Sequence, residues 1–281
     1  MLRLHSLHTL VLYACMAIPG VASAAGESIT PVRVTLHGDA DYFPYSYVKG
    51  NVLRGLYPEI IRKVDERLPD YEIVLEPIPW RRGLVMLEEG EAFGLFPPYR
   101  FEAERPYIKP YSAPLGSENL VIVCREDRLP SDFKGRWPED YKGMTVSVNL
   151  GFAVQSKPFW ASIHNGSVKR AEFPSNSENL IQLAAFGSVD CYANDRNAIS
   201  ASYARLVKRF GDGTAERDLA PIRETTVLSP QTAHIGYAAR YAEHFAYGAD
   251  FIKLFDEALR EFQASPEYEP FVTKFWAELE D

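Results

Sequence analysis

Residues 80–112 read WRRGLVMLEEGEAFGLFPPYRFEAERPYIKPYS. Leu84, Met86 and Leu87 fall on one side of a helical projection, and Arg81, Arg82, Glu88 and Glu89 on another, so the stretch opens as an amphipathic helix. Gly90 is placed to end it. The short apolar run Ala92 to Phe96 then reads as a buried strand. Prolines, the arginines Arg100 and Arg105, and the tyrosines Tyr99, Tyr107 and Tyr111 crowd the residues that follow. A strand ending in a rigid turn that offers guanidinium groups among aromatic rings is suited to hold a small anion. A solvated Arg/Glu loop is the plainer alternative.

The first two dozen residues stand apart from this pattern. Arg3 gives a positive start, Leu7 to Ile18 is mostly apolar, and Ala22-Ser23-Ala24 forms an A-x-A cleavage site. Residues 1–24 are therefore expected to be a cleaved secretory signal, with the mature chain starting at Ala25. The apolar run is too short and too interrupted for a membrane span, which needs roughly 20 residues, so no membrane insertion is expected after cleavage. The chain carries 30 basic and 38 acidic residues, and loss of the leader, with Arg3 its only charged residue, leaves it more acidic still. With no basic run, it lacks the electrostatic footprint of a nucleic-acid or anionic-lipid binder. A hydrophobic content of 46% with 16 Tyr and 16 Phe is ample for a core. Beyond the leader, Cys124 and Cys191 either pair in an oxidising compartment or serve as small buried hydrophobes in their strands. Their spacing, with no nearby His or Cys, argues against a zinc site, and no metal or cofactor is expected.

Around the opening stretch, strand and helix patterns alternate. Val32 to Leu36 reads as a half-buried strand, followed by an irregular loop from His37 to Tyr45. Leu53, Leu56, Tyr57, Ile60, Ile61, Val64 and Leu68 mark one helical face. Tyr71 to Leu75 is a second strand and Trp80 to Glu89 a second helix. This pitch indicates parallel βαβ units. After Leu120 to Cys124 a second series begins, with strands at Met144 to Val148, Val168 to Phe173 and Val189 to Ala193. Helices are expected near Val154 to Ile163, after the capping box Ser175-x-x-Glu178, and from Asp195 to Phe210. Gly211 to Arg217 reads as a polar turn and Ala233 to Ala239 as a late strand. The apolar spacing from Phe251 to Phe262 marks a strong helix, and Glu267 to Leu279 a closing one. Two α/β series with a break near Arg125 predict two lobes with a cleft between them.

The sequence contains no P-loop, no G-x-G-x-x-G, no H-E-x-x-H and no G-x-S-x-G. His37, His164, His234 and His244 are scattered, and no catalytic residue is assigned. Groups suited to grip rather than react do recur. Tyr42, Tyr45 and Trp80 offer flat apolar faces, Arg100 and Arg105 offer planar forks for an anion, and Asp39 and Asp195 offer negative charge for an ammonium. Asp39 and Asp41 could form an acid/base pair, but two residues apart in a loop they suit capping or turning the backbone at least as well.

Several segments, in order, resemble the periplasmic solute-binding proteins of the polar amino-acid type, bacterial extracellular solute-binding family 3. They are Tyr42-Phe43-Pro44-Tyr45, Gly55 to Ile60, Trp80, the Leu-x-x-Gly-x-Ala of Leu87 to Ala92, Glu104-Arg105 ahead of Pro110-Tyr111-Ser112, Tyr141-Lys142-Gly143 before a Val-x-Val strand and Gly151, and Val189 to Asp195. The resemblance implies an α/β, two-lobed periplasmic-binding-protein-like fold (type II), with a ligand cleft between lobes joined by two hinge strands. It implies a first lobe of residues 25–123 and 233–281, a second of residues 124–232, and a periplasmic location. By position, Tyr42 and Trp80 would sandwich the ligand, Arg105 would pair with a carboxylate, Asp195 would receive an α-amino group, and Asp39 would reach the ligand side chain. Tyr45, Phe96, Arg100, Asn149, Gly151, Phe152 and Tyr192 complete the expected lining.

The chain departs from the family's amino-acid binders in two places. Phe96-Pro97-Pro98-Tyr99-Arg100 stands where Ser/Thr-rich segments are common, and Gly151-Phe152-Ala153 stands for Gly-Thr-Thr. The expected ligand is thus a small solute, an amino acid or related carboxylate or amine, aromatic ligands included. The expected function is capture for an ABC permease or a periplasmic sensor domain. The alternative is an enzyme on the same scaffold, such as a cyclohexadienyl dehydratase-like lyase.

Overall fold

A computed structural model describes residues 30–153, 157–210 and 218–280. The expected leader, the start of the helix expected from Val154 and the expected turn at 211–217 lie outside the described residues. In chain order the strands are β1 (Val32–Asp39), β2 (Asp41–Tyr42), β3 (Ser46–Lys49), β4 (Val52–Arg54), β5 (Tyr71–Ile78), β6 (Gly94–Phe96), β7 (Ile108–Tyr111), β8 (Gly116–Arg125), β9 (Thr145–Asn149), β10 (Lys169–Phe173), β11 (Cys191–Asp195), β12 (Ile222–Ala233) and β13 (Gly236–Ala238). The helices are α1 (Leu56–Asp65), α2 (Trp80–Glu89), α3 (Lys157–His164), α4 (Asn176–Leu180), α5 (Arg196–Phe210), α6 (Tyr241–His244), α7 (Gly248–Ala264) and α8 (Tyr268–Glu280). From Ile181 to Phe186 the backbone continues α4 as a wider π turn.

Two five-stranded sheets organise these elements. The first runs β5-β1-β6-β13-β7, with β1 parallel to β5 and β6, and β13 antiparallel to its neighbours. The second runs β10-β9-β11-β8-β12, parallel on the β9 side and antiparallel where β8 meets β11 and β12. The βαβ units expected from the alternating pattern are present. α2 has the predicted bounds because Gly90 takes a left-handed conformation, φ 77°, which residues with a Cβ resist.

Three differences from the sequence pattern have local causes. The helix expected from Leu53 starts at Leu56, and Val52–Arg54 is a strand of the small β2-β3-β4 sheet. Gly55, at φ 119°, separates the two; a Cβ there would lie 2.4 Å from the Tyr45 carbonyl oxygen. The single late strand is instead the end of β12 followed by β13, which belong to different sheets. The rest of β12 is a long edge strand with two register shifts and Pro230, features that remove alternation.

Each sheet packs mainly against its own apolar core, with Ala198 of α5 joining the first and Tyr99 and Phe101 from the loop after β6 joining the second. Around the first, α1 and α7 bury Tyr57, Ile60, Ile61, Phe251, Phe255 and Phe262. The second core gathers Leu120, Ile122, Val146, Val148 and Phe159 on one face and Val121, Leu180, Leu183 and Ile199 on the other. Cys124 and Cys191 face each other across the β8–β11 pair and form a disulfide. The bridge closes a chain separation of 67 residues, so its reduction is expected to cost about 2–4 kcal/mol of unfolding free energy. Urea unfolding with and without reductant measures this, and coincident curves would contradict it.

Candidate functional site

Arg105 occupies the loop between β6 and β7, where a turn bonds its N–H to the Phe101 carbonyl and its carbonyl to the Ile108 N–H. Its side chain is only 7% exposed. Among the described residues no carboxylate lies within ion-pairing distance of it. Burial pulls its pKa down from the usual arginine value, against small upward contributions from Tyr107, Tyr111 and Glu104. The guanidinium instead meets a neutral oxygen: Arg105 Nη2 donates to the Gly151 carbonyl at 2.8 Å. The Trp80 indole N–H, at the first residue of α2, points to the same oxygen at 3.3 Å. The guanidinium also lies 5.6 Å from the Trp80 ring centroid, within cation–π range.

Gly151 follows β9 with φ +78°. That conformation lets Phe152 N–H return to the Asn149 carbonyl and sends the Phe152 ring toward the first lobe. There the ring meets Tyr42 edge-on at 5.3 Å and Trp80 edge-on at 5.7 Å. Tyr42, Trp80, Pro97, Pro98, Tyr99, Phe101, Arg105, Phe152 and Ala153 line a partly open cavity of about 20 Å³, room for about one water molecule. The Pro-rich turn after β6 thus forms one wall, and the loop after β9 forms the other.

The structure therefore brings together Tyr42, Trp80, Arg105, Gly151 and Phe152. Tyr45 packs against Tyr42 with ring centroids 5.3 Å apart, and the other expected residues have partners of their own. Phe96 is in the first core, where its ring leaves no room for a Cβ on Gly38. Arg100 is exposed and pairs with Glu102 at 2.6 Å. Asp39 is buried at the end of β1, where its Oδ1 accepts the Asp41 N–H at 3.0 Å, the turn-forming role open to it. Asp195 caps α5: its carboxylate accepts from Ala198 N, Asn119 N and the Tyr45 hydroxyl. Tyr45 also stacks on Tyr57, with ring centroids 5.0 Å apart. Asn149 and Tyr192 belong to a buried amide cluster with Asn176, Asn179 and Asn194. Asn176 extends that cluster across the cleft by donating to the Phe43 carbonyl at 3.0 Å.

Glu118, on β8, is a buried acid that sequence reasoning missed. Tyr42, Tyr57 and Tyr99 all donate their hydroxyls to its carboxylate, Tyr57 at 2.5 Å. Two of these rings, Tyr42 and Tyr99, also line the cavity. Burial, and next the neighbouring Asp195, push the Glu118 pKa up to about 8, although the three hydroxyls pull it down. The signal was a two-residue period: Glu118 shares a strand face with Leu120, Ile122 and Cys124, which belong to a core.

Two sheets joined by the antiparallel pair β8 and β12, with a cleft between them, define a two-lobed, type II periplasmic-binding-protein-like fold. Solved structures share it. Holo ArgBP from T. maritima matches with TM-score 0.61 and 21% identity over 86% of this chain and 96% of that one. A histidine kinase sensor domain with similarity to periplasmic binding proteins matches with TM-score 0.67 and 16% identity, covering 87% and 96%. The ancestral amino acid-binding protein AncCDT-1, described as a precursor of cyclohexadienyl dehydratase, matches with TM-score 0.62 and 16% identity, covering 86% and 94%. No protein-family model matches the sequence, and no curated protein does.

Glu118 and Asp39 make stability depend on pH. Burial raises Glu118 from 4.5 to about 8 and Asp39 from 3.8 to about 7. Both therefore hold a proton more tightly folded than unfolded, and the folded state loses stability as pH rises through that window. Glu118→Gln is expected to flatten part of the decline between about pH 4.5 and 8. Chemical denaturation across that range reads the slope, and an unchanged slope would contradict the assignment.

Proposed function

We propose that this chain is a solute-binding protein that captures a small anionic solute with an apolar or aromatic body between its lobes. The observation that carries this reading is Arg105, a buried cation whose partner is a backbone carbonyl rather than an acid. Burying a cation without an anion is costly, and charge-assisted bonds from guanidinium to carboxylate are roughly twice as strong as neutral ones. Trp80 and Tyr42 beside it supply apolar faces for the rest of the ligand. Solved structures with this fold include an ancestral arginine-binding protein bound to arginine and to glutamine, and a histidine kinase sensor domain, which supports capture of small solutes.

In this reading the lobes comprise residues 25–123 with 233–281, and residues 124–232, and β8 and β12 act as hinges. Residues 1–24 direct export, and the disulfide suits an oxidising periplasm. The ligand-closed form is read by an ABC permease or by a periplasmic sensor domain. A lyase on the same scaffold has one observation in its favour: Glu118, an acid with its pKa near 8, touches two cavity-lining tyrosines. Consumption of prephenate or arogenate, lost in Glu118→Gln, would replace the binding reading.

The binding reading is tested by a thermal-shift panel of amino acids, amines and carboxylates. A ligand at one hundred times its dissociation constant is expected to stabilise the chain by about 2.7 kcal/mol. Arg105→Lys keeps the charge and loses the planar fork, so it is expected to weaken binding of that ligand by roughly tenfold or more. A panel in which nothing shifts the melting point, or an Arg105→Lys variant that binds as well as the parent, would count against it.

A further inference from the structure

The cleft already holds an occupant. The Gly151 carbonyl receives hydrogen bonds from both Arg105 and Trp80, and the next residue places its ring against Tyr42 and Trp80. A polar oxygen on the guanidinium with a ring between the aromatic faces is the outline of an aryl carboxylate. The space left over, about 20 Å³, is far below the roughly 150 Å³ of a cavity that takes up benzene. A ring-bearing solute therefore cannot bind beside Phe152 and has to take its place.

We propose that Gly151-Phe152 is a built-in mimic of the ligand, and that the ligand is an aryl carboxylate without an α-ammonium group. This deepens the solute-binding reading and rests on it. The exchange has a chemical direction: a carboxylate gives Arg105 a charged partner that the amide oxygen cannot. Gly151 has the conformational freedom for its loop to turn away, and Phe152 is only partly buried. The missing ammonium follows from the lining. Arg105 is the one ionised group among the nine cavity residues, whereas Asp195 is committed to the α5 cap and Tyr45, and Asp39 to its turn. An ammonium in the cavity would be buried without a carboxylate, which is costly. Phe152 then sets both affinity and specificity, because a site that fills itself binds more weakly in proportion to the time it is filled.

Isothermal titration of the whole chain with 3-phenylpropionate and with phenylalanine tests this. 3-Phenylpropionate is expected to bind the parent at least roughly tenfold tighter than phenylalanine, and Phe152→Ala to tighten it by about tenfold more, as removal of a competing internal occupant requires. Phe152→Leu, which keeps an apolar side chain, is expected to fall between them and serves if the alanine variant does not fold. If 3-phenylpropionate binds while Phe152→Ala or Phe152→Leu leaves its affinity unchanged or weaker, the mimic is overturned and solute binding stands. Equal affinity for phenylalanine overturns the ligand class. If neither probe binds parent or variant but another anion does so through Arg105, the inference alone fails. If no anion binds any form, the solute-binding reading fails with it.

Discussion

A guanidinium buried at the meeting of two lobes is the constraint around which the site is built. Taking Arg105 out of water is unfavourable unless its N–H groups find acceptors. The chain meets that demand across the cleft, with a carbonyl from the loop after β9. Trp80 donates to the same oxygen and lies within cation–π range of the guanidinium. Its position follows from the start of α2, and the position of α2 follows from the βαβ unit beneath it. One buried charge thus links the first sheet, the turn after β6 and the second lobe.

Beside the aromatic contacts of Phe152 with Tyr42 and Trp80, the two lobes meet through hydrogen bonds. Asn176 reaches the Phe43 carbonyl and Tyr45 reaches Asp195, while within the first lobe three tyrosines converge on Glu118 behind the cleft wall. Most of each lobe's hydrophobic packing is its own, with Ala198 and Phe152 of the second lobe reaching the first core and Tyr99 and Phe101 of the first reaching the second. Separating surfaces held by hydrogen bonds exchanges protein partners for water at modest net cost, whereas opening a hydrophobic core exposes apolar surface. This division suits the closure proposed above. Glu118 sits on β8, one of the two connecting strands, so the protonation of one acid bears on both the cleft wall and the link between the sheets.

Much of the fold was legible in sequence because its signals are local. The apolar spacing of Phe251 to Phe262, the stop at Gly90 and the Ser175 cap each depend on a few neighbouring residues, and the cap forms as expected with Ser175 Oγ accepting the Glu178 N–H. β12 was not legible, because an edge strand with bulges carries no clean period. At the site, Arg105, Trp80 and Tyr42 stood out through residue type and order along the chain. The status of Asp195 and Asp39 could not be read that way, because it depends on which backbone N–H groups the fold delivers to them. Phe152 stood out as a departure, but its contacts with Tyr42 and Trp80 are tertiary. Glu118 was hidden by the habit of reading charge as surface, although its strand parity pointed inward.

The most direct test of the central claim is a crystal structure of the protein with an anionic solute that stabilises it. The expected result is the anionic group within hydrogen-bonding distance of the Arg105 guanidinium, with the Gly151 carbonyl displaced from it. A solute seated instead in the groove lined by Asp41, Ser177, Arg205 and Arg209, with the Arg105–Gly151 bond intact, would contradict it.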